Sequence, residues 1–169
     1  TGPHLHNAVQ AAKVLQEHLP IEEDKIQSLK SQIEKDSLAL IEALAQFEDE
    51  PSVLFIYARG AGRLLVGGTD TEAASMIERA GGKNAIQSFE DYAAMTPESL
   101  VEANPDVILM FTSGLASLDG KEGLSQIPGI NQTPAYQNDR AMDGHYLVSF
   151  SSRAGQAALE LAQQIHQEK

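Results

Sequence analysis

The sequence contains no cysteine and few basic residues. Without thiols, the chain can form no disulfide, thiolate nucleophile or thiolate metal site. Lys and Arg number 12 against 24 Asp and Glu, which gives a formal net charge of −12. Because nucleic-acid phosphates repel an acidic surface, this charge argues strongly against DNA or RNA as a main partner. A macromolecular partner, if there is one, is expected to present a basic surface.

Long apolar runs and common cofactor motifs are also absent. No run reaches the length needed to cross a bilayer, and the chain opens on TGPHLH rather than on a basic segment followed by an apolar core. A cleaved secretory signal would leave no trace, so this opening does not indicate a cytoplasmic protein. Gly60 and Gly62 are followed by Leu65, where a dinucleotide-binding loop needs its third glycine. His4 and His6 lack a third ligand at a defined spacing, so we predict no metal site.

The first 50 residues have the pattern of helices. Residues 1–20 predict a short helical segment, with the helix at about residues 5–19 and a stop at Pro20. Residues 21–50 contain neither Gly nor Pro and predict one long amphipathic helix, with a weakened stripe at Asp36 and Ser37. Apolar residues recur along it at three- and four-residue steps: Ile26, Leu29, Ile33, Leu40, Leu44 and Phe47.

Residues 51–169 have a different pattern. Short apolar runs at residues 53–57, 107–111 and 146–150 alternate with helical segments. One such segment begins at Thr96-Pro97 and ends near Ala103, and the last one covers about residues 154–166, with Ser151 or Ser152 as its cap. The alternation predicts an α/β lobe of three layers with a mostly parallel central sheet, preceded by the helical arm. With 42% hydrophobic residues, this chain can bury one substantial core.

Residues 53–82 are the most informative stretch. A buried strand at residues 53–57 is followed by a glycine-rich bend at residues 58–62, a second apolar run at residues 64–66, and a helix capped by Thr69 or Thr71. We expect one crossover of a parallel sheet, with the bend open to a ligand at the carboxyl end of the strand.

Two arginines follow predicted strands. Arg59 comes after the first strand and Arg153 after the last, and the carboxyl ends of parallel strands share one edge of a sheet. Two guanidinium groups meeting there would bind a carboxylate, whereas two surface ion pairs are an equally good interpretation. Tyr57, at the end of the first strand, we interpret as the rim of the core rather than as a ligand-binding residue.

Four segments carry a resemblance to a known family: VLFIYARGAGRLLVGGTDTEAASMIERAGG, TPESLVEANPDVILMF, SGLASLDGKEGLSQIPGINQTPA and YLVSFSSRAG. In this order they resemble the carboxyl-terminal lobe of periplasmic haemin-binding proteins. These are the substrate-binding components of ABC importers and are related to cobalamin and ferric-siderophore binders. The resemblance covers residues 21–162. It implies two α/β lobes on either side of a shallow cleft, with the long helix joining them.

The resemblance also implies roles for individual residues. Arg153 would reach the propionates or the axial tyrosinate, although Ser152 stands where the family usually has proline. Glu98 would contact arginines of the membrane permease, and the alternative is a first-turn glutamate stabilised by the helix dipole. The residues placed near the porphyrin are Arg59, Gly60 and Ala61 of the bend, and Thr112, Ser113 and Gly114 at the same edge.

The resemblance predicts a periplasmic carrier, not an enzyme, that binds haem and delivers it to an ABC permease in the membrane. The family's amino-terminal lobe, which supplies the usual axial tyrosine, has no counterpart here. We therefore expect haem binding by this chain to be weak or absent, and the uncovered lobe face to favour self-association. Three alternatives stay open: a siderophore or cobalamin carrier, an α/β enzyme domain whose Arg59 and Arg153 hold a carboxylate substrate, and an interaction module based on the helical arm.

Overall fold

The computed structural model describes residues 23–60, 62–144 and 154–166. Its helices are α1 (Glu23–Leu44), α2 (Glu72–Arg79), α3 (Pro97–Ala103), α4 (Thr112–Ala116), α5 (Pro134–Gln137) and α6 (Ala154–Ile165). Its strands are β1 (Ser52–Ala58), β2 (Leu64–Gly67), β3 (Lys83–Asn84), β4 (Tyr92–Ala94), β5 (Val107–Met110) and β6 (Ala141–Asp143). Short 3₁₀ helices at Glu122–Gln126 and Ile130–Gln132 lie between α4 and α5. No helix in the described ranges is long and apolar enough to cross a membrane.

The strands form one mostly parallel sheet in the order β4-β2-β1-β5-β6. β1, β5 and β6 run parallel, with Ile56 opposite Met110 and Met110 opposite Asp143. β3 pairs in parallel with the start of β1. The carboxyl ends of β1, β5 and β6 therefore lie side by side at one edge, as expected for a parallel α/β sheet.

β2 corrects the expectation of a simple crossover after the first strand. It returns antiparallel to β1, with Ile56 opposite Val66, and the parallel partner after α2 is β3. The cause is the length of the bend: parallel strands need a connection of about a dozen residues or more, and the few residues between β1 and β2 can close only a hairpin.

Helices cover both faces of the sheet, which confirms the predicted three-layer α/β architecture. Val53 and Phe55 of β1 pack with α2 and α6 on one face, whereas Leu54 and Ile56 pack with Leu100 of α3 and the segment after β5 on the other. All four residues of β5 are fully buried, as its continuous apolar sequence predicts for a strand covered on both faces.

Cap residues set the starts of two helices. Thr71, rather than Thr69, caps α2, because its Oγ1 accepts a hydrogen bond from the Ala74 amide. Thr96 and Ser99 form a reciprocal capping box at α3, with a proline in the first turn. α3 then ends at Asn104 in the left-handed conformation, and the chain turns into β5.

α1 is one continuous helix. It passes through Asp36 and Ser37 without a break, and Ser37 Oγ donates to the carbonyl of Ile33 at 2.8 Å. Its carboxyl-terminal half runs alongside α6 in the same direction, since Asp36 lies against Gly155 and the ring of Phe47 stacks on His166 at 4.1 Å. This contact fixes the helix to the lobe.

β6 was not predicted, because it is short and flanked by charged residues. The predicted helix at residues 5–19, the strand at residues 146–150 and the cap at Ser151 or Ser152 lie outside the described residues.

Replacing Phe47 with Ala tests the attachment of α1. The change removes the stack on His166 and the apolar contact with the core, and should lower the free energy of unfolding by about 1–3 kcal/mol. Thermal or urea denaturation followed by circular dichroism measures it. Leu38→Ala on the exposed side of the same helix is the control and should change stability by less than about 0.5 kcal/mol. Equal effects of the two substitutions would contradict the attachment.

Candidate ligand-binding site

The carboxyl edge of the sheet gathers most of the residues that the sequence singled out. β1 ends at Ala58 and leads into Arg59 and Gly60, while β5 leads through Phe111 into α4. Gly114 of α4 lies directly against Ala58. The structure thus brings Arg59 and Gly60 together with Thr112, Ser113 and Gly114.

A hydrogen-bond relay ties the β1–β2 turn to α4. The amide of Gly60 donates to Ser117 Oγ at 2.9 Å, and that hydroxyl donates to the carbonyl of Gly114 at 2.7 Å. Gly60 has a φ of +75°, in the left-handed region where a residue with a Cβ is strained. Glycine at this position therefore lets the turn fold back while its amide reaches α4.

Tyr57 and Arg59 form the polar centre of this edge. Arg59 Nε donates to the Tyr57 hydroxyl oxygen at 2.8 Å, and the guanidinium carbon lies 5.4 Å from the centre of the Tyr57 ring. Arg59 directly follows β1 and is two positions after Tyr57, a spacing that puts two side chains of an extended chain on the same face. Arg59 is exposed and forms no ion pair with any residue in the described ranges.

Packed aromatic rings hold Tyr57 in place. Its ring meets Phe111 edge-on at 6.0 Å, and Phe111 meets Phe55 edge-on at 5.1 Å. Phe55 in turn contacts Tyr92 of β4, which lies on the other side of β1 from Phe111. Burial, followed by the nearby Glu72 carboxylate, raises the pKa of Tyr92 above its ordinary value of 10.0. The packed rings orient the Tyr57 hydroxyl toward the edge, where Arg59 meets it.

An acidic residue also lies at the edge. Thr112 Oγ1 donates to Asp143 Oδ1 at 2.7 Å, which links the start of α4 to the end of β6. The Gly144 amide closes the same corner by donating to the carbonyl of Met110.

Glu98 is exposed in the first turn of α3. Ala61 and Arg153 lie outside the described residues, so the pairing of Arg59 with Arg153 stays a prediction. In the described part of the chain, no group of three or more His, Asp or Glu side chains could hold a metal ion.

Two contacts at this edge were not predicted from the sequence. Ser117 gave no signal, because its contact with Gly60 depends on the tertiary fold. Tyr57 was interpreted as the rim of the core, and its half-buried ring does pack against the core. Its contact with Arg59 could have been found from the spacing, because residues two positions apart on an extended chain point to one face.

The chain matches the profile of the periplasmic binding protein family over residues 10–145. It belongs to this family. Its members are binding proteins rather than enzymes. No curated protein matches the chain.

Solved haem-binding proteins share the fold. The periplasmic haem-binding protein RhuT from Roseiflexus sp. RS-1 is 34% identical, with a TM-score of 0.77 over 85% of this chain and 56% of RhuT. BhuT, solved in complex with two haems, is 33% identical, with a TM-score of 0.78 over the same shares. HmuT is 32% identical, with a TM-score of 0.72 over 86% of this chain and 48% of HmuT. Two further HmuT structures carry single alanine substitutions. One replaces a tyrosine, and the other replaces the arginine two positions after it. The chain thus spans about half the length of these relatives.

Replacing Ser117 with Ala tests the relay between the turn and α4. The Gly60 amide loses its acceptor, so local opening of the turn should become easier by about 1 kcal/mol. Hydrogen exchange followed by NMR should show the Gly60 amide exchanging about fivefold faster. Ser125→Ala removes a hydroxyl that bonds only the nearby carbonyl of Glu122, and should leave Gly60 unchanged.

Proposed function

We propose that this chain is the carboxyl-terminal lobe of a periplasmic protein that binds haem and delivers it to an ABC importer. Three relatives described as haem-binding proteins, at 32–34% identity, support the ligand. The observation that carries the proposal is the hydrogen bond from Arg59 Nε to the Tyr57 hydroxyl at the carboxyl edge of the sheet. This edge is where open parallel sheets bind their ligands.

In this proposal Tyr57 binds the haem iron, which revises our interpretation of it as core rim. A phenolate oxygen is a hard anionic ligand of the kind that binds ferric haem in some proteins. A neighbouring guanidinium stabilises the negative charge on that oxygen through a charge-assisted hydrogen bond. The tyrosine and arginine replaced in HmuT have the same order and spacing as Tyr57 and Arg59, which supports the assignment.

The surrounding residues would receive the rest of the porphyrin. Arg59 uses Nε for Tyr57, so its two terminal nitrogens are available for a propionate. Gly60 and Ala61 have little or no side chain and allow a flat ring to approach the backbone. The hydroxyls of Thr112 and Ser113, the bare backbone of Gly114, and Arg153 complete the proposed wall.

The proposal assigns three parts to the chain: residues 1–20 as a short helical segment, residues 21–50 as the helix that connects two lobes, and residues 51–169 as the lobe itself. A second lobe would cover the other porphyrin face. Without it, the lobe face is open to contact with a second copy of the chain.

Titration with haemin tests the function. The unsubstituted chain should shift the Soret band and show the charge-transfer band of a ferric phenolate. Tyr57→Phe should abolish that band, and Arg59→Gln should weaken binding about 10–100-fold, because removal of a group that orients a metal ligand has effects of this size. Circular dichroism checks that both variants fold. Because the proposal puts an iron ligand, Tyr57, in this lobe, it replaces the expectation of weak or absent binding with measurable binding. No response to haemin by the unsubstituted chain would end the proposal.

The same titration with a ferric siderophore or cobalamin addresses the nearest alternative. Binding of either one in preference to haemin would identify a carrier of the same fold for another ligand. The enzyme alternative is addressed by turnover, because replacing Arg59 and Arg153 with Ala would abolish catalysis in an enzyme domain, whereas a carrier has no turnover to lose.

Glu98 is our proposed contact with the permease. Its carboxylate is exposed and stands in a capped helix start, where its position is fixed. Glu98→Lys should weaken docking to the importer by about tenfold or more at low salt, because like charges then face each other. Stimulation of the importer's ATPase activity in proteoliposomes measures this. Glu78→Lys, an exposed position on α2 at the other face of the sheet, should have little effect, and haemin affinity should stay unchanged in both variants.

A further inference from the structure

Two arginines face each other across the β1–β2 turn. Tyr57 pairs with Leu65 and Ala58 with Leu64, so the next pair in the same register is Arg59 with Arg63. The Arg59 amide donates to the carbonyl of Arg63 at 3.1 Å, which continues the ladder by one step. Residues directly opposite on antiparallel strands point to the same face, with Cβ atoms about 4.5–5.5 Å apart. Arg63 therefore lies on the same face as Tyr57 and Arg59.

No acidic group in the described ranges pairs with either of these cations. Both side chains are exposed, and neither forms an ion pair with any residue in the described parts of the chain. The three residues between them, Gly60, Ala61 and Gly62, carry no charge. Like charges directly opposite each other destabilise a hairpin. The turn is therefore a local positive site in a chain with twice as many acidic as basic residues. A bound anion would reduce the repulsion between the two arginines.

We infer that Arg63 is a second anion-binding residue of the proposed haem site, where it binds a carboxylate of the ligand beside Arg59. This inference rests on the proposed function. Arg59 Nε already donates a hydrogen bond to Tyr57, whereas the guanidinium of Arg63 has no hydrogen-bond partner among the described residues. A guanidinium binds a carboxylate through two parallel hydrogen bonds, so two arginines suit a ligand with two carboxylates. Arg59 and Arg63 would then bind the two propionates of haem, while Tyr57 binds the iron.

The experiment compares haemin with its dimethyl ester, in which both carboxylates are blocked. Each is titrated into the unsubstituted chain, Arg63→Gln and Lys83→Gln. Lys83 is the matched control: it is exposed, has the same charge, and pairs with Ser52 at the start of β1, at the opposite end of the strand from the turn.

Arg63→Gln should weaken haemin binding about tenfold or more, because a charged hydrogen bond to a carboxylate is lost. Its affinity for the dimethyl ester should equal that of the unsubstituted chain. Lys83→Gln should change haemin affinity less than about twofold. The melting temperature of Arg63→Gln without ligand should be unchanged or higher at low salt, since the repulsion between the two arginines is gone. A residue needed only for the shape of the turn would lower it.

Three outcomes would overturn the inference. Equal haemin affinity of Arg63→Gln and the unsubstituted chain would show that Arg63 binds no carboxylate. An equal loss for haemin and its dimethyl ester would show that Arg63 acts through the structure of the turn. Failure of the unsubstituted chain to bind haemin would remove the proposed function and this inference together, whereas the first two outcomes leave the proposed function standing.

Discussion

Parallel pairing between β1 and β5 positions everything at the candidate site. It joins segments that are far apart in sequence, and it sets the end of one strand beside the start of α4. The Gly60 amide can reach Ser117, and the Tyr57 ring can rest on Phe111, only because the two strands end together. The core beneath is fully buried on both faces, so this register is strongly fixed. The loops of the candidate site are short and attached to a rigid sheet.

Charge is distributed in a way that suits an anionic ligand. The chain as a whole is strongly acidic, yet the β1–β2 turn carries two arginines and no acid. At the far side of the same edge, Asp143 is engaged by Thr112. An anionic ligand would therefore find attraction at the end of β1 and repulsion near the end of β6, which favours one orientation over its reverse. In the proposed complex the propionates lie over the turn.

The sequence predicted those parts of the fold that depend on local patterns. Apolar runs located β1 and β5, the Thr96-Pro97 signal located α3, and the three- and four-residue steps located α1. It did not predict β6, which is short and polar at its ends, or the hairpin at β2, where the glycine-rich bend suggested a ligand loop but not its closing geometry. At the site, Arg59 and Gly60 were identified from their place after a strand. Ser117 could not be identified in this way, because its contact with Gly60 depends on tertiary packing. The pairing of Arg59 with Arg63 could be recognised only from the observed register of β1 and β2.

The stack of Phe47 on His166 limits how far α1 can move against the lobe. His166 Nε2 also lies 3.2 Å from the carbonyl of Ala80 at the end of α2, so α1, α2 and α6 meet at a single junction. Swinging the lobe about α1 would break the stack of Phe47 on His166, whereas the contact of His166 with Ala80 lies within the lobe. α1 and the lobe should therefore move together as one rigid body.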